Sequence, residues 1–162
     1  MNNYLNQDKK VNSLNTKGRI ITFLFRLGKQ LNKNKFYRVI FLPYLIFYRV
    51  FVEWVLGIEL PLSVIAGKNL RIFHGQSLVV NPEVVIGENV TLRHSITIGN
   101  KSENGKCPII GNNVDIGCNV IIIGDIKIGN NVIIGAGSVV VKNLESNSIY
   151  AGNPAKIIRK IK

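Results

Sequence analysis

Two histidines and two cysteines are the side chains of this chain best suited to proton transfer or nucleophilic attack. They are His74, His94, Cys107 and Cys118. Imidazole titrates near neutral pH, so either histidine could take a proton from a hydroxyl group. A cysteine thiolate could form a covalent intermediate. The two cysteines do not form a C-x-x-C motif, however, and we expect two free thiols in a cytosolic protein. What these groups do depends on the elements that position them.

A six-residue repeat organises the middle of the chain. Aliphatic residues recur at every sixth position, usually with a second one two positions earlier and a glycine directly after. The lattice residues are Val80, Ile86, Leu92, Ile98, Ile110, Ile116, Ile122, Ile128, Ile134 and Val140. This period fits neither an α-helix nor a simple hairpin sheet, and short repeats of this kind predict a parallel β-helix. Three hexapeptides would close one coil, with small residues after the lattice positions permitting tight corners.

The lattice is disturbed at two places that bear on chemistry. No aliphatic residue stands at position 104, where the polar stretch 100–108 predicts a loop extruded from the wall. Extended backwards, the lattice falls on His74 and would direct this imidazole into the core. Because a catalytic ring must be accessible, we expect the chain near Gly75 to be distorted enough to turn it outward.

Positive charge is concentrated at the two ends of the chain. The net charge is +12, and residues 1–50 hold ten Lys or Arg against Asp8 alone, while the last seven residues add four. Such ends suggest anionic partners, namely lipid headgroups, the phosphates of a coenzyme or nucleic acid. No nucleic-acid motif is recognisable, and we expect no nucleic-acid partner.

The segment before the repeat predicts helices. The polar stretch 1–16 is expected to be frayed and lacks the apolar core of a signal peptide, and residues 18–31 predict a basic amphipathic helix. Residues 36–58 are strongly apolar, but their longest run without a charge, 39–48, is about half of the ~20 residues that a membrane span needs. The alternatives are helices packed on a partner surface, an anchor on an anionic membrane surface and, least favoured, a true span. We divide the chain into a helical segment (1–60), a β-helix domain (61–145) and a basic C-terminal tail (146–162).

The repeat resembles that of the hexapeptide-repeat acyltransferases, whose fold is a left-handed β-helix. I-G-A-G-S-V-V at 134–140 and A-G-N-P-A-K at 151–156 are similar to the C-terminal signature of that family. Three segments resemble colanic acid and related exopolysaccharide acetyltransferases: Y-R-V-F-V-E-W-V-L-G-I-E-L at 48–60, R-H-S-I-T-I-G-N at 93–100 and C-P-I-I-G at 107–111. The resemblance implies acetyl transfer from acetyl-CoA to a sugar hydroxyl of a surface polysaccharide or its precursor. It also implies a cytoplasmic homotrimer, with the coenzyme in grooves between neighbouring prisms.

The stretch around His74 resembles the serine acetyltransferase branch of the family. In that branch an acidic residue fifteen positions before the catalytic histidine pairs with it, which implies His74 as general base with Glu59 as its partner, although that branch usually has Asp there. The branch also carries Asp directly before the histidine and Arg-His before the loop proline. This chain has Phe73 and Lys106-Cys107 at those positions. Serine O-acetylation is therefore the alternative activity, and a non-enzymatic β-helical scaffold is a third.

The resemblance implies roles for the remaining candidates. Acceptor binding is expected of Lys106, Cys107 and Phe73. His94 lies twenty residues after His74, which is one coil plus two residues, so we expect both histidines near one edge on adjacent coils. His94 could bind the acceptor or act as a second base. Acetyl-CoA binding is expected of Gly99, Asn100, Gly117, Cys118, Ala136, Gly137, Lys142, Lys156 and Arg159. Direct transfer is favoured over an acetyl-cysteine on Cys107. We expect no metal, because the carbonic anhydrases that share the fold use three zinc-binding histidines and this chain has two.

Overall fold

The computed structural model describes residues 2–161, which form a parallel β-helix with helices at its N-terminal end. Successive coils add strands to three sheets in turn, and these sheets are the three faces of a prism. The first face contains β1 (Ile58–Glu59), β4 (Leu78–Val80), β7 (Thr97–Gly99), β10 (Ile121–Ile123) and β13 (Val139–Val140). The second contains β2 (Ile65–Ala66), β5 (Val85–Ile86), β8 (Ile109–Ile110) and β11 (Lys127–Ile128). The third contains β3 (Arg71–Ile72), β6 (Thr91–Leu92), β9 (Asp115–Ile116), β12 (Val132–Ile134), β14 (Ser148–Ala151) and β15 (Lys156–Lys160). The predicted parallel β-helix of hexapeptide repeats is confirmed.

The lattice aliphatics form the interior of the prism. On the third face Ile72 pairs with Leu92 and Leu92 with Ile116, all in parallel register. Each of the three side chains is 0% exposed. Because full burial of such a side chain contributes roughly 1.5–3 kcal/mol, this ladder is the main stabilising feature of the domain.

The coils differ in length, and the difference marks the predicted loop. Ile98 pairs with Ile122 in the next coil, and Ile122 pairs with Val140 in the one after. The first of these coils is longer than the second by one hexapeptide. The extra residues lie in the stretch 100–108, which leaves the wall as the gap in the lattice predicts.

Asparagines make the corner between the second and third faces. The five corner residues adopt positive φ angles of 55–60°, and their side-chain amides form a continuous hydrogen-bonded ladder with distances of 2.7–2.9 Å. They are Asn69, Asn89, Asn113, Asn131 and Asn147. Asparagine tolerates this backbone region better than most residues, so the corner does not depend on glycine.

The glycines after the lattice residues serve a different purpose from the one expected. Gly87 and Gly111 do not have positive φ, but a Cβ on Gly87 would lie 2.5 Å from the carbonyl oxygen of Gly111. A Cβ on Gly117 would lie equally close to the backbone nitrogen of Ala136. The residues at these positions are small because neighbouring coils stack closely there. The expectation that backbone freedom explains these glycines is wrong.

Two helices cover the N-terminal end of the prism. They are α1 (Asn2–Leu5) and α2 (Thr16–Leu31). The amphipathic helix predicted over 18–31 corresponds to α2, which begins where the Asn15 side chain accepts a hydrogen bond from the Gly18 N–H. Ile21 and Phe25 on its apolar face are fully buried in the same core as the β-helix. The apolar face of α2 therefore packs on the prism.

A buried ion pair ties this cap to the first coil. The Arg26 Nε lies 2.7 Å from the Asp8 carboxylate, and the two side chains are 1% and 2% exposed. Asp8 also accepts a hydrogen bond from the Leu70 N–H, while the Arg26 guanidinium donates to the carbonyl oxygens of Ala66 and Gly67. The expectation that residues 1–16 are frayed is wrong for the described part of that stretch, because these contacts satisfy backbone groups at the open end of the prism.

The apolar stretch 36–58 forms α3 (Lys35–Ile40), α4 (Leu42–Tyr48) and a π-helix (Arg49–Val55). Tyr48 and Val52 point into the core, but large apolar side chains on the other side remain exposed. We call this surface the apolar helical face; it consists of Phe36, Val39, Ile40, Leu42, Ile46, Val50 and Trp54. Within residues 2–161, no helix combines the length and the apolar character that crossing a membrane requires.

The basic C-terminal segment belongs to the wall of the prism. β14 continues the third face in parallel with β12, and β15 folds back on it as an antiparallel strand. Lys156 and Arg159 in β15 are exposed.

Candidate active site

Both histidines lie along one edge of the prism. The turns from the third face into the first, residues 73–77, 93–96, 117–120 and 135–138, are stacked through backbone hydrogen bonds, and we call this line the histidine edge. The Ser95 N–H donates to the Gln76 carbonyl, the Asn119 N–H to the His94 carbonyl and the Gly137 N–H to the Cys118 carbonyl. The edge therefore presents His74, His94, Cys118 and the Ala136–Gly137 corner in this order.

His74 lies outside the aliphatic lattice. On the third face Ile72 pairs with Leu92 twenty residues later, whereas Val80 on the first face pairs with Ile98 after eighteen. Two additional residues thus lie between the inward-facing Ile72 and Val80, and extending the lattice back to His74 gave the wrong register. His74 and Gly75 both have positive φ, 66° and 74°, and the imidazole is exposed as expected for a catalytic group.

Four side chains form a continuous stack at the top of this edge. The Arg71 Cζ lies 4.6 Å from the centroid of the Phe73 ring. That ring meets His74 edge to face at 5.3 Å, and His74 meets His94 in the same manner at 5.8 Å. The stack holds both imidazoles beside each other, so Phe73 and His94 are in place to contact whatever binds at His74.

Next to His94 in the chain, Arg93 forms an ion pair that the sequence did not predict. The neighbouring Arg93 guanidinium donates two hydrogen bonds to the Asp115 carboxylate and a third, of 3.0 Å, to the Ile116 carbonyl. The hydrogen bond with Asp115 raises the pKa of Arg93. The Nδ1 atom of His94 is buried and has no hydrogen-bond partner among the described residues.

The remaining candidates near the loop lie on a different edge. Strands of the first face are parallel, so their carboxyl ends point away from the histidine edge, toward the turns into the second face. Gly99 is the last residue of β7, and Asn100, Lys106 and Cys107 follow it on this second edge, which we call the loop edge. The side-chain oxygen of Asn100 accepts a hydrogen bond of 3.2 Å from the side-chain amide of Asn81. Within a single chain, the loop residues and His74 therefore lie on different edges of the prism.

The two loop candidates differ in accessibility. Lys106 is exposed and lies 3.5 Å from the Asp125 carboxylate. Cys107 is 8% exposed and packs in the core cluster. Burial raises the pKa of the Cys107 thiol and the Glu83 carboxylate raises it further, while a backbone hydrogen bond at Asn100 lowers it. A buried thiol that resists ionisation is poorly suited to nucleophilic attack.

Glu59 lines an open cleft of about 680 Å³ between the helices and the first face. It is the last residue of β1 and therefore lies toward the loop edge. No hydrogen bond joins Glu59 to His74 within residues 2–161. Burial raises the pKa of the neighbouring Glu53, Arg49 opposes this shift and Glu59 adds to it. Sequence reasoning missed this cleft because its walls come from separate segments of the chain.

The candidates for the coenzyme are distributed over the lower part of the prism. Gly117 and Cys118 lie directly above Ala136 and Gly137 on the histidine edge, and a Cβ on Gly137 would meet nothing within 4 Å. The edge is thus open there to an extended ligand. Lys142 follows β13 on the loop edge, and Lys156 and Arg159 lie in β15 on the third face.

Comparison with known proteins agrees with this fold. The family described as "Bacterial transferase hexapeptide (six repeats)" matches residues 107–142. The Escherichia coli protein WcaB, named as a colanic acid biosynthesis acetyltransferase, is 45% identical over 116 residues, covering 71% of this chain and 72% of WcaB. A Helicobacter pylori serine acetyltransferase is 33% identical over 138 residues, covering 84% of this chain and 78% of that enzyme. The structure of Brucella abortus serine acetyltransferase with coenzyme A superposes with a TM-score of 0.82 at 27% identity, covering 99% of this chain and 68% of that one. The chain therefore belongs to the hexapeptide-repeat acetyltransferases, enzymes that use acetyl-CoA as the acyl donor.

Proposed function

We propose that this enzyme transfers acetyl from acetyl-CoA to a hydroxyl group of a sugar in a surface polysaccharide or its precursor. The observation that supports this acceptor most directly is the environment of His74, where the Phe73 ring lies against the imidazole. An aromatic ring suits the apolar face of a sugar better than the ammonium and carboxylate of an amino acid. The name of WcaB points to the same acceptor class.

His74 acts as the general base in this proposal. Its imidazole takes the proton of the acceptor hydroxyl while that oxygen attacks the thioester carbonyl. The tetrahedral intermediate then expels the sulfur of coenzyme A, which receives the proton from the imidazolium. Exposure of the ring and the adjacent His94 support this role, with His94 binding the acceptor. Glu59 lies toward the loop edge, so it is the proposed carboxylate partner of His74 in a neighbouring chain of an assembly. A backbone N–H at Gly99 or Asn100 is the proposed oxyanion donor.

Serine is the alternative acceptor, since serine acetyltransferases match nearly the whole chain in structure. Purified enzyme should be incubated with acetyl-CoA, and release of the free thiol should be followed with serine, glucose, galactose, fucose and their nucleotide-linked forms. We expect turnover with a sugar to exceed turnover with serine by at least about tenfold, a difference that unpaired polar groups in a mismatched site produce readily. Serine turnover equal to that of the best sugar would reject the proposed acceptor. A Phe73→Asp variant, which restores the acidic residue of the serine branch, should shift the ratio toward serine.

A homotrimer is the proposed assembly, because it would bring the two edges together. The histidine edge of one prism would face the loop edge of the next, and threefold symmetry would close the ring with three equivalent sites. Lys106, Gly99 and Asn100 would then meet His74 of the neighbouring chain. The coenzyme would lie in the same groove along the edge past Gly117, Cys118, Ala136 and Gly137, with Lys142, Lys156 and Arg159 toward its phosphates.

The apolar helical face is proposed to bind the inner surface of an anionic membrane, which would place the enzyme beside lipid-linked precursors in the cytoplasm. Leu42, Ile46, Val50 and Trp54 recur every four residues and form one stripe along α4 and the π-helix, with Trp54 74% exposed. Lys33, Lys35 and Arg38 precede the stripe in the chain. The acidic residue closest along the chain, Glu53, pairs with Arg49. Apolar and aromatic side chains with flanking positive charge are the pattern of an interfacial helix.

The membrane proposal can be tested with a double variant, Ile46→Ser and Trp54→Ser. We expect its recovery in flotation with vesicles of phosphatidylcholine and phosphatidylglycerol to fall by about tenfold or more, because two large apolar side chains no longer enter the lipid. Vesicles without the anionic lipid should bind the native enzyme more weakly. The control is Leu14→Ser, since Leu14 is 99% exposed but outside this face. Equal binding of native and double-variant enzyme, or a change in oligomer mass instead, would contradict the proposal. Deleting the N-terminal segment is unsuitable as a test, because it would also remove the buried Asp8–Arg26 ion pair that ties the cap to the first coil.

A further inference from the structure

Arg71 places a positive charge beside His74, and no acidic side chain among the described residues pairs with it. Its side chain projects from the outer surface of β3, and its guanidinium lies over the Phe73 ring with Cζ 4.6 Å from the ring centroid. Its Nε is buried and lacks a hydrogen-bond partner. Among residues 2–161 the guanidinium forms no ion pair, in contrast to Arg93, which is bound to Asp115.

An unpaired guanidinium in this position has a clear chemical preference. It presents N–H donors in a planar fork that matches the two oxygens of a carboxylate or the oxygens of a phosphate. Because Nε is buried, the terminal Nη1 and Nη2 groups are the donors that an incoming anion can reach. The Phe73 ring restricts the orientation of the fork and reduces the entropy lost when an anion binds.

The position of Arg71 relative to His74 determines which molecule supplies the anion. Phe73 contacts both groups, with the Arg71 guanidinium on one side and the His74 imidazole 5.3 Å from its centroid. A molecule whose hydroxyl group reaches His74 would therefore have its neighbouring substituents close to Arg71. The Gly117 and Gly137 corners proposed for the coenzyme lie further down the edge, beyond His94 and Cys118. The anion therefore belongs to the acceptor.

We propose that Arg71, held on Phe73, is a specificity-determining residue that selects an acceptor sugar bearing a negatively charged group, either a phosphate ester or a carboxylate, near the acetylated hydroxyl. This inference rests on the proposed sugar acetylation and narrows its substrate class. It assigns no part in proton transfer to Arg71, which acts by binding the acceptor.

The test compares charged and neutral acceptors in native enzyme and in Arg71→Gln. Matched pairs are glucose with glucose 1-phosphate, galactose with galactose 1-phosphate and glucose with glucuronic acid. We expect the native enzyme to favour at least one charged member by about 10- to 100-fold in kcat/KM, as charge-assisted hydrogen bonds of a guanidinium allow. Arg71→Gln should abolish this preference mainly through KM, while kcat/KM for the neutral sugars and the KM for acetyl-CoA stay unchanged. The phosphate and carboxylate arms distinguish the two sources of charge.

Two further variants separate recognition from folding. Arg71→Lys keeps the charge but loses the planar fork, so it should retain only part of the preference. Lys127→Gln removes an outward-facing cation from the second face and should leave the preference intact. Equal use of charged and neutral sugars by the native enzyme would overturn the inference while leaving sugar acetylation standing. If Arg71→Gln lowered kcat/KM equally for charged and neutral sugars, Arg71 would have a structural role instead. Turnover of serine alone would reject the proposed function itself.

Discussion

Replacing His74 by alanine should lower kcat for acetyl transfer by about 10²- to 10⁴-fold, the usual contribution of a positioned general base. The thermal unfolding midpoint should change little, because the imidazole is exposed and contributes nothing to the aliphatic core. The rate of thiol release from acetyl-CoA at saturating acceptor measures the effect. His94→Ala is the informative companion, since an acceptor-binding residue should raise KM more than it lowers kcat. Equal kcat values for the native enzyme and His74→Ala would exclude this histidine as the base.

The same variant also tests whether the site spans two chains. His74→Ala has a damaged histidine edge and an intact loop edge, and a chain with residues 101–106 replaced by a Gly-Ser turn has the reverse. If neighbouring prisms complete each other's sites, coexpression of the two inactive chains should restore a fraction of the native activity in mixed trimers. Mixtures that stay inactive at a confirmed trimer mass would mean that each prism contains its whole site.

Replacing Asp8 by alanine should lower the free energy of unfolding by about 3–5 kcal/mol, the range for breaking a buried ion pair by removing one partner. Arg26 would be left buried without its counter-ion, and the Leu70 N–H would lose its acceptor at 2.8 Å. Denaturant unfolding followed by circular dichroism at fixed protein concentration measures the change, since assembly makes the apparent stability concentration-dependent.

The matched control for this prediction is an exposed ion pair on the same part of the prism. Lys68 lies 3.4 Å from Glu88, with side chains 58% and 47% exposed. Because solvent screens such a pair, Lys68→Ala should change the stability by no more than about 1 kcal/mol. The double variant Asp8→Leu, Arg26→Met should recover much of what Asp8→Ala loses, since neither charge is then buried alone. A change below about 1 kcal/mol for Asp8→Ala would show that the cap does not stabilise the first coil.

Most of the β-helix could be predicted from the sequence because its repeat is local. Each hexapeptide carries its own inward aliphatic pair. The burial of residues such as Ile98 and Ile122 can therefore be predicted from the repeat alone, before it is known which strands pair. The loop at 100–108 was equally visible as the gap in that pattern. The reason for the glycines could not be predicted. Gly87 is small because the backbone of the next coil packs against it, and a local sequence pattern does not show that contact.

The candidate site was predictable in part for the same reason. His74 and His94 could be assigned to one edge from the length of a coil, and their rings do lie 5.8 Å apart between centroids. The separation of Glu59 and the loop residues from His74 could not be foreseen, since it depends on the parallel direction of the strands within one face. Asp8 and Arg26 were counted only as charges, because nothing in a polar N-terminal stretch indicates that it closes the end of a prism.

By itself, the sequence of this protein determines a parallel β-helix, the edge on which its histidines lie and the exclusion of a loop from its wall. All three follow from a period that each segment carries within itself. Only the tertiary structure decides the register around His74, where two additional residues turn the imidazole outward, and the stack that places Arg71 on Phe73 beside it. Those features depend on which residues of neighbouring coils pair, and pairing is a property of the folded chain.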